Sequence, residues 1–200
     1  MPRKKQEKKH TDILEAAARV FAREGFHKAK IEDVAREAGV AHGTVYLYFG
    51  SKDDLLISIF RENIRELVEY VGSEIQKETN AEDKLRRMIS FQIELIETNP
   101  ELTALMLVEF PQAGKFLNSD SIGELAAYID MIANILREGI DEKVFDDSID
   151  VNIAATVIYS GIQGIATRWI LEGMEYPLKK ISGEISAIFL KGIGPKREKI

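Results

Sequence analysis

Between His42 and Lys52 the chain reads HGTVYLYFGSK, and at helical spacing these residue types divide onto two faces. Val45 and Phe49, four apart, can pack inward on Val34, Ala38 and an earlier helix. Opposite them stand Gly43, Thr44 and Leu47, with His42, Tyr46 and Tyr48 on the flanks. A helix that only fills a core gains nothing from glycine here, which costs about 1 kcal/mol relative to alanine in a helix interior. A helix laid into the groove of a duplex does gain, because glycine lets the backbone come close and short side chains reach the groove floor. Thr44 could donate or accept at a base edge or a phosphate, and Leu47 suits a thymine methyl. Tyr46 and Tyr48 could offer hydroxyls to phosphates. Alternatively, Tyr48 covers the core behind the helix and His42 is a solvated turn residue. Lys52 opens the following helix, where exposed N–H groups and positive charge together suit a phosphate.

This is chemistry of recognition, and the rest of the chain supplies no bond-making alternative. There is no G-x-S-x-G elbow, no P-loop and no glycine-rich dinucleotide loop. The absence of cysteine excludes disulfides, thiolate catalysis and Cys-based zinc sites. The three histidines, His10, His27 and His42, all precede Gly43, which leaves the later part of the chain without imidazole for a metal. No catalytic residue, metal ligand or cofactor is therefore assigned, and an enzyme is not expected.

Charge is distributed in the same sense. The net charge is -6, yet Met1–Phe60 carry 11 Lys and Arg against 9 Asp and Glu, while the remainder carries 16 against 24. Arg3, Lys4, Lys5, Lys8 and Lys9 face only Glu7 within the first nine residues. A basic arm on an acidic chain is the asymmetry of a nucleic-acid-reading end joined to a different module; a solubilising tail is the alternative. No apolar run approaches the roughly 18 residues of a membrane span. The N-terminus has no apolar stretch of a secretory signal, and a cytoplasmic location is expected.

Elements that would position these residues are helical throughout, since apolar residues recur at spacings of three and four and never alternate over a strand's length. A first helix is predicted from about Thr11 to Glu24, stopped by Gly25, and a short second from Ile31 to Ala38, stopped by Gly39. The third spans about Ala41–Phe49. Ser51 caps a long fourth, with Asp54 as capping-box partner, continuing to about Lys77. Asn80 caps a fifth to about Glu97, and Asn99-Pro100 starts a sixth that ends before Pro111. A loop at 114–121, a seventh helix at 122–137, an acidic loop at 139–147, an eighth helix at 149–171 and a ninth at 178–190 complete the chain. The prediction is an all-α protein of about nine helices. A basic arm and three-helix head at 1–51 are joined to a body at 52–192, with a frayed tail at 193–200.

Two short helices joined through Gly39-Val40 behind a first helix make a helix-turn-helix. The stretch IEDVAREAGVAHGTVYLYFGSKDDLL resembles the N-terminal signature of TetR/AcrR-family transcriptional regulators, residue by residue from Ile13 to about Leu56. The resemblance implies an all-helical homodimer with a DNA-binding head and a ligand-binding body. It also implies a repressor whose two heads bind successive major grooves of a near-palindromic operator. One departure stands out. Where the family usually has a capping threonine that touches a phosphate, this chain has Lys30 beside Ala29, so capping is lost and only a charge remains for the phosphate.

In the body, Phe60, Ile64, Leu67, Met88, Phe91 and Leu95, with Met106 and Phe110, form an apolar set that fits a pocket. Gln92, Tyr128, Tyr159 and Gln163 could supply its polar contacts. Any one of these residues could equally be ordinary core. The run YSGIQGIATRWILEG is similar to the penultimate helix of family members that respond to fatty acyl-CoA or other lipophilic ligands. This implies a small apolar effector, with fatty acyl-CoA favoured and Arg86, Arg87 and Arg168 as candidates at the pocket mouth. Alternatives are a broad drug sensor and a constitutive dimer without effector. Ile153, Val157 and Ile165, with Ile181, Ile185 and Ile188, exceed what one packed face needs and are expected to form a dimer interface.

Overall fold

The computed structural model describes residues 2–110 and 121–195, and its described residues form nine α-helices and no strand. They are α1 (Pro2–Glu24), α2 (Ile31–Glu37), α3 (His42–Tyr48), α4 (Lys52–Ile75), α5 (Ala81–Thr98), α6 (Pro100–Ala104), α7 (Ser121–Asp141), α8 (Val151–Leu171) and α9 (Ser182–Ile193). A π-helical stretch, Leu105–Glu109, follows α6, and a 3₁₀ turn, Leu178–Ile181, precedes α9. The all-α architecture is the one read from the sequence. Residues 114–120 of the loop expected at 114–121 and most of the frayed tail lie outside the described residues, and Ser121, expected to end that loop, instead opens α7.

Two differences have clear physical origins. α1 begins at Pro2 rather than Thr11, because lysine, glutamine and glutamate are good helix formers even without an apolar stripe. α8 begins after Asp150, whose carboxylate accepts from the N–H groups of Asn152 and Ile153 at 2.9 and 3.1 Å. Elsewhere the expected caps are in place. Ser51 Oγ accepts from the Asp54 N–H at 3.0 Å, while Asp54 reaches back to the Gly50 N–H at 2.9 Å. Asn80 accepts from the Asp83 N–H at 2.9 Å. Each such cap stabilises its helix by about 1 kcal/mol.

The chain divides into two compact units. The first comprises residues 1–63 and 101–122, the second 64–100 and 123–200. In the first unit α2 packs on α1 and α3. Ile13, Ala17, Val20 and Phe21 of α1 meet a core completed by Val34, Val45, Phe49, Leu55 and Leu56, all buried. Gly39 adopts φ 66°, and α2 closes with bonds from the Gly39 N–H to Arg36 O and from the Val40 N–H to Ala35 O. This Schellman arrangement needs a left-handed residue, which glycine supplies without a Cβ clash, and it sets the turn from which α3 departs. Arg19 and Arg23 of α1 both hold Glu37 at the end of α2, at 3.1 and 3.3 Å, fixing the angle between those helices.

In the second unit α5 packs against α9, the 3₁₀ turn and α8. Its core holds Leu85, Met88, Ile89 and Ile93 of α5, Tyr128, Ile132 and Leu136 of α7, and Ala155, Ile158 and Ile162 of α8. Gly161 lies so near α9 that a Cβ there would stand 2.8 Å from the Phe189 ring, so this glycine serves helix packing within the subunit.

Candidate functional site

α3 is amphipathic in an unusual direction. Val45 and Phe49, at its inner side and C-cap, are buried, while Leu47 is 82% and Tyr46 48% exposed. His42 and Gly43 are also exposed, and Thr44 and Tyr48 are partly buried. A Cβ at Gly43 would meet nothing within 4 Å, so the fold itself does not require glycine there. The His42 ring lies 3.4 Å from a Glu32 carboxylate oxygen through Nε2 and edge-on to Tyr46 at 5.2 Å. Tyr48 turns toward α1, 6.2 Å from the His10 ring, which itself sits 4.8 Å from Phe49.

The two lysines occupy different environments. Lys30 is exposed at the start of α2 and makes no side-chain cap, in line with its reading as a bare charge. Lys52 is partly buried, its Nζ donating to His27 O at 3.3 Å and lying 4.7 Å from the centroid of the Phe26 ring. This lysine therefore ties α4 to the turn after α1 as well as carrying charge.

Of the candidate pocket residues, Phe60, Met106 and Phe110 belong to the first unit. Phe60 and Phe110 are buried and stack in parallel with centroids 4.2 Å apart, and Met106 is partly buried in the π-helical stretch. Ile64, Leu67, Met88, Phe91, Gln92, Leu95, Tyr128, Tyr159 and Gln163 belong to the second. Within it Tyr128 Oη donates to Gln92 Oε1 at 2.8 Å, and Gln163 Nε2 donates to Tyr159 Oη at 2.9 Å. The two tyrosine rings meet edge to face at 5.9 Å. Burial pushes both phenols above their ordinary pKa, which keeps them neutral. The three arginines offered for a pocket mouth are each paired with a glutamate: Arg86 with Glu82, Arg87 with Glu74, and Arg168 with Glu172.

On α8 Ile153 and Val157 are 64% and 54% exposed, and on α9 Ile188 is 68% exposed. Ile165 and Ile181 are partly buried, and Ile185 is buried within the subunit.

Comparison with known proteins matches both parts of the chain. The N-terminal pattern of bacterial regulatory proteins of the tetR family covers residues 13–59. The C-terminal region of YsiA-like proteins covers residues 60–192. The chain belongs to the TetR family. It is 31% identical to the fatty acid metabolism regulator protein of Bacillus subtilis (strain 168) over 193 residues, 96% of this chain and 100% of that one. Among solved structures it is similar to the fatty acid degradation regulator FadR of Bacillus halodurans. That likeness has a TM-score of 0.86 and 28% identity, and covers 92% of this chain and 95% of the other. It is also similar to FadR of Bacillus subtilis in complex with stearoyl-CoA, with a TM-score of 0.82 and 30% identity over 92% and 98% of the two chains.

This TetR-family chain is a DNA-binding transcriptional regulator, and α2, the Gly39 turn and α3 are its helix-turn-helix. The packing of His10 against Tyr48 and Phe49 was not expected from the sequence. The position of this histidine three and four residues before Ile13 and Leu14 places it on the inward stripe of α1, and that spacing could have shown it. No helix among the described residues is long and apolar enough to cross a membrane.

Proposed function

We propose that this regulator is a homodimeric repressor that leaves a near-palindromic operator when a long-chain acyl-CoA binds its body. In this reading residues 1–51 are the reading head, 52–192 the ligand-binding and dimerisation body, and 193–200 a tail. The protein acts in the cytoplasm and has no catalytic role. The observation that carries the effector class is the likeness to a regulator solved with stearoyl-CoA, which extends through the body rather than stopping at the head. The buried polar side chains among the described residues, Gln92 and Ser186, are uncharged, and an interior of this kind accommodates an alkyl chain better than a cation.

At the DNA, Gly43, Thr44 and Leu47 read the groove floor, and His42, Tyr46, Tyr48, Lys30 and Lys52 hold the backbone. The base contact of Thr44 is worth about 1–3 kcal/mol of discrimination. Two-fold pairing through the exposed aliphatics of α8 and α9 places two heads on half-sites about 34–36 Å apart, one helical turn. Release follows if acyl-CoA binds more tightly to the dimer whose head spacing no longer fits the operator; no other coupling is required.

Native mass spectrometry tests ligand and assembly together. The full chain incubated with stearoyl-CoA should appear at twice 22.5 kDa plus the mass of bound acyl-CoA. A monomer, or a dimer that takes up no acyl-CoA while retaining an aromatic compound, would overturn the reading.

A further inference from the structure

Gln92 sits in the middle of α5 with 2% of its surface exposed, and Tyr128 of α7 beside it is fully buried. The Tyr128 hydroxyl occupies the Gln92 amide oxygen. Among the described residues the amide nitrogen of Gln92 has no partner. Around this pair the neighbouring turns of α5, α7 and α8 contribute Met88, Ile89, Ile132 and Ile158, all buried and apolar. A buried donor left without an acceptor is costly, and an interior that needed only packing would carry an aliphatic side chain there. The open valences are those of the Gln92 N–H groups, so the group they await is an acceptor. The second polar pair, Tyr159 with Gln163 on α8, continues the polar strip from the Tyr128 ring.

We infer that Gln92, positioned by Tyr128, is a specificity residue that receives the thioester carbonyl oxygen of the effector. This rests on the acyl-CoA reading above and deepens it. Along an acyl-CoA the thioester oxygen is the acceptor at the root of the alkyl chain. A chain lying among the aliphatics of α5, α7 and α8 can bring that oxygen to the Gln92 amide in their midst. A neutral amide in an apolar surround also disfavours a free carboxylate, which would lose its hydration without gaining a cation. The element therefore selects the activated thioester over the free fatty acid.

The test is calorimetric titration of the full-length protein with palmitoyl-CoA and with S-hexadecyl-CoA, a thioether in which the carbonyl is replaced by a methylene. The native protein should bind the thioester about ten- to a hundredfold more tightly, the span of one buried hydrogen bond to an otherwise unpaired donor. In Gln92→Met, a volume-conserving change, and in Gln92→Met/Tyr128→Phe, the ratio should fall to near one. The single variant leaves the buried Tyr128 hydroxyl without its acceptor and should lose some thermal stability, while the double variant, which removes both partners, should keep or raise it. Equal binding of both ligands by the native protein overturns the inference and leaves the acyl-CoA reading standing. A ratio that survives Gln92→Met, or a variant that weakens both ligands alike, also overturns it, since either outcome makes Gln92 a packing residue. Binding of neither ligand removes both readings.

Discussion

Gly43→Ala separates the demands of the fold from those of the DNA. Gly43 is exposed in the first turn of α3, and an added methyl would meet nothing of the protein within 4 Å. Alanine should therefore stabilise the folded head by about 0.5–1 kcal/mol, the ordinary helix advantage over glycine. For a chain of this size that corresponds to a rise in Tm of roughly 2–4 °C per kcal/mol. Toward the duplex the same methyl moves the contact surface outward by about one carbon–carbon bond, about 1.5 Å. A helix seated on the groove floor has no room for such a shift without losing base-edge contacts, each worth about 1–3 kcal/mol. Operator affinity should fall at least about tenfold, equivalent to about 1.4 kcal/mol. Differential scanning calorimetry and fluorescence anisotropy on a duplex selected by the protein itself read the two effects independently. Unchanged operator affinity in a more stable variant would refute close backbone approach at this residue, and a lowered Tm would refute the account of α3.

Other perturbations probe the remaining parts. Lys52→Ala should weaken specific and random duplexes alike and reduce the salt slope by about 0.9; it should also cost about 1–2 kcal/mol of stability by removing the Phe26 and His27 contacts. A purely thermal effect would make Lys52 a strut alone. Ile153→Asp combined with Ile188→Asp, both at exposed positions, should yield a folded monomer in sedimentation and abolish operator binding; a dimer would place the interface elsewhere. Glu74, hydrogen-bonded by Lys77 and by Arg87, has its pKa held below the usual carboxylate value. Its pairing therefore stabilises the native state above the unfolded glutamate pKa of about 4.3 and is lost as pH falls through the lower folded value. The Tm advantage over Glu74→Gln should be present at neutral pH and close on acidification, and a gap constant with pH would contradict it.

What the sequence made legible is tied to local physics. Gly39, Ser51 and Asn80 act through bonds to residues within five positions, so their effects could be read directly, and the two faces of α3 follow from a period of 3.6 residues. The N-terminal start of α1 was hidden because its first turns carry no apolar stripe to announce them. Long-range partners were hidden for a different reason. Arg86 and Arg168 have their glutamates four residues away on the same helix, a spacing the sequence itself carries, whereas the partner of Arg87 is Glu74 of α4, which only the fold brings beside it. Lys52 likewise looked like a free charge until its approach to the Phe26 ring was seen. In the body, Gln92 and Tyr128 are 36 residues apart, and nothing local specifies that their side chains meet.

The central claim is that a long-chain acyl-CoA dissociates this protein from DNA. Its most direct test follows the anisotropy of a labelled operator held by the full-length protein while stearoyl-CoA is added. The account predicts saturable return to the value of free DNA at micromolar ligand, with CoA alone inert. Persistence of the complex well above that range, together with release by a planar aromatic compound, would contradict it.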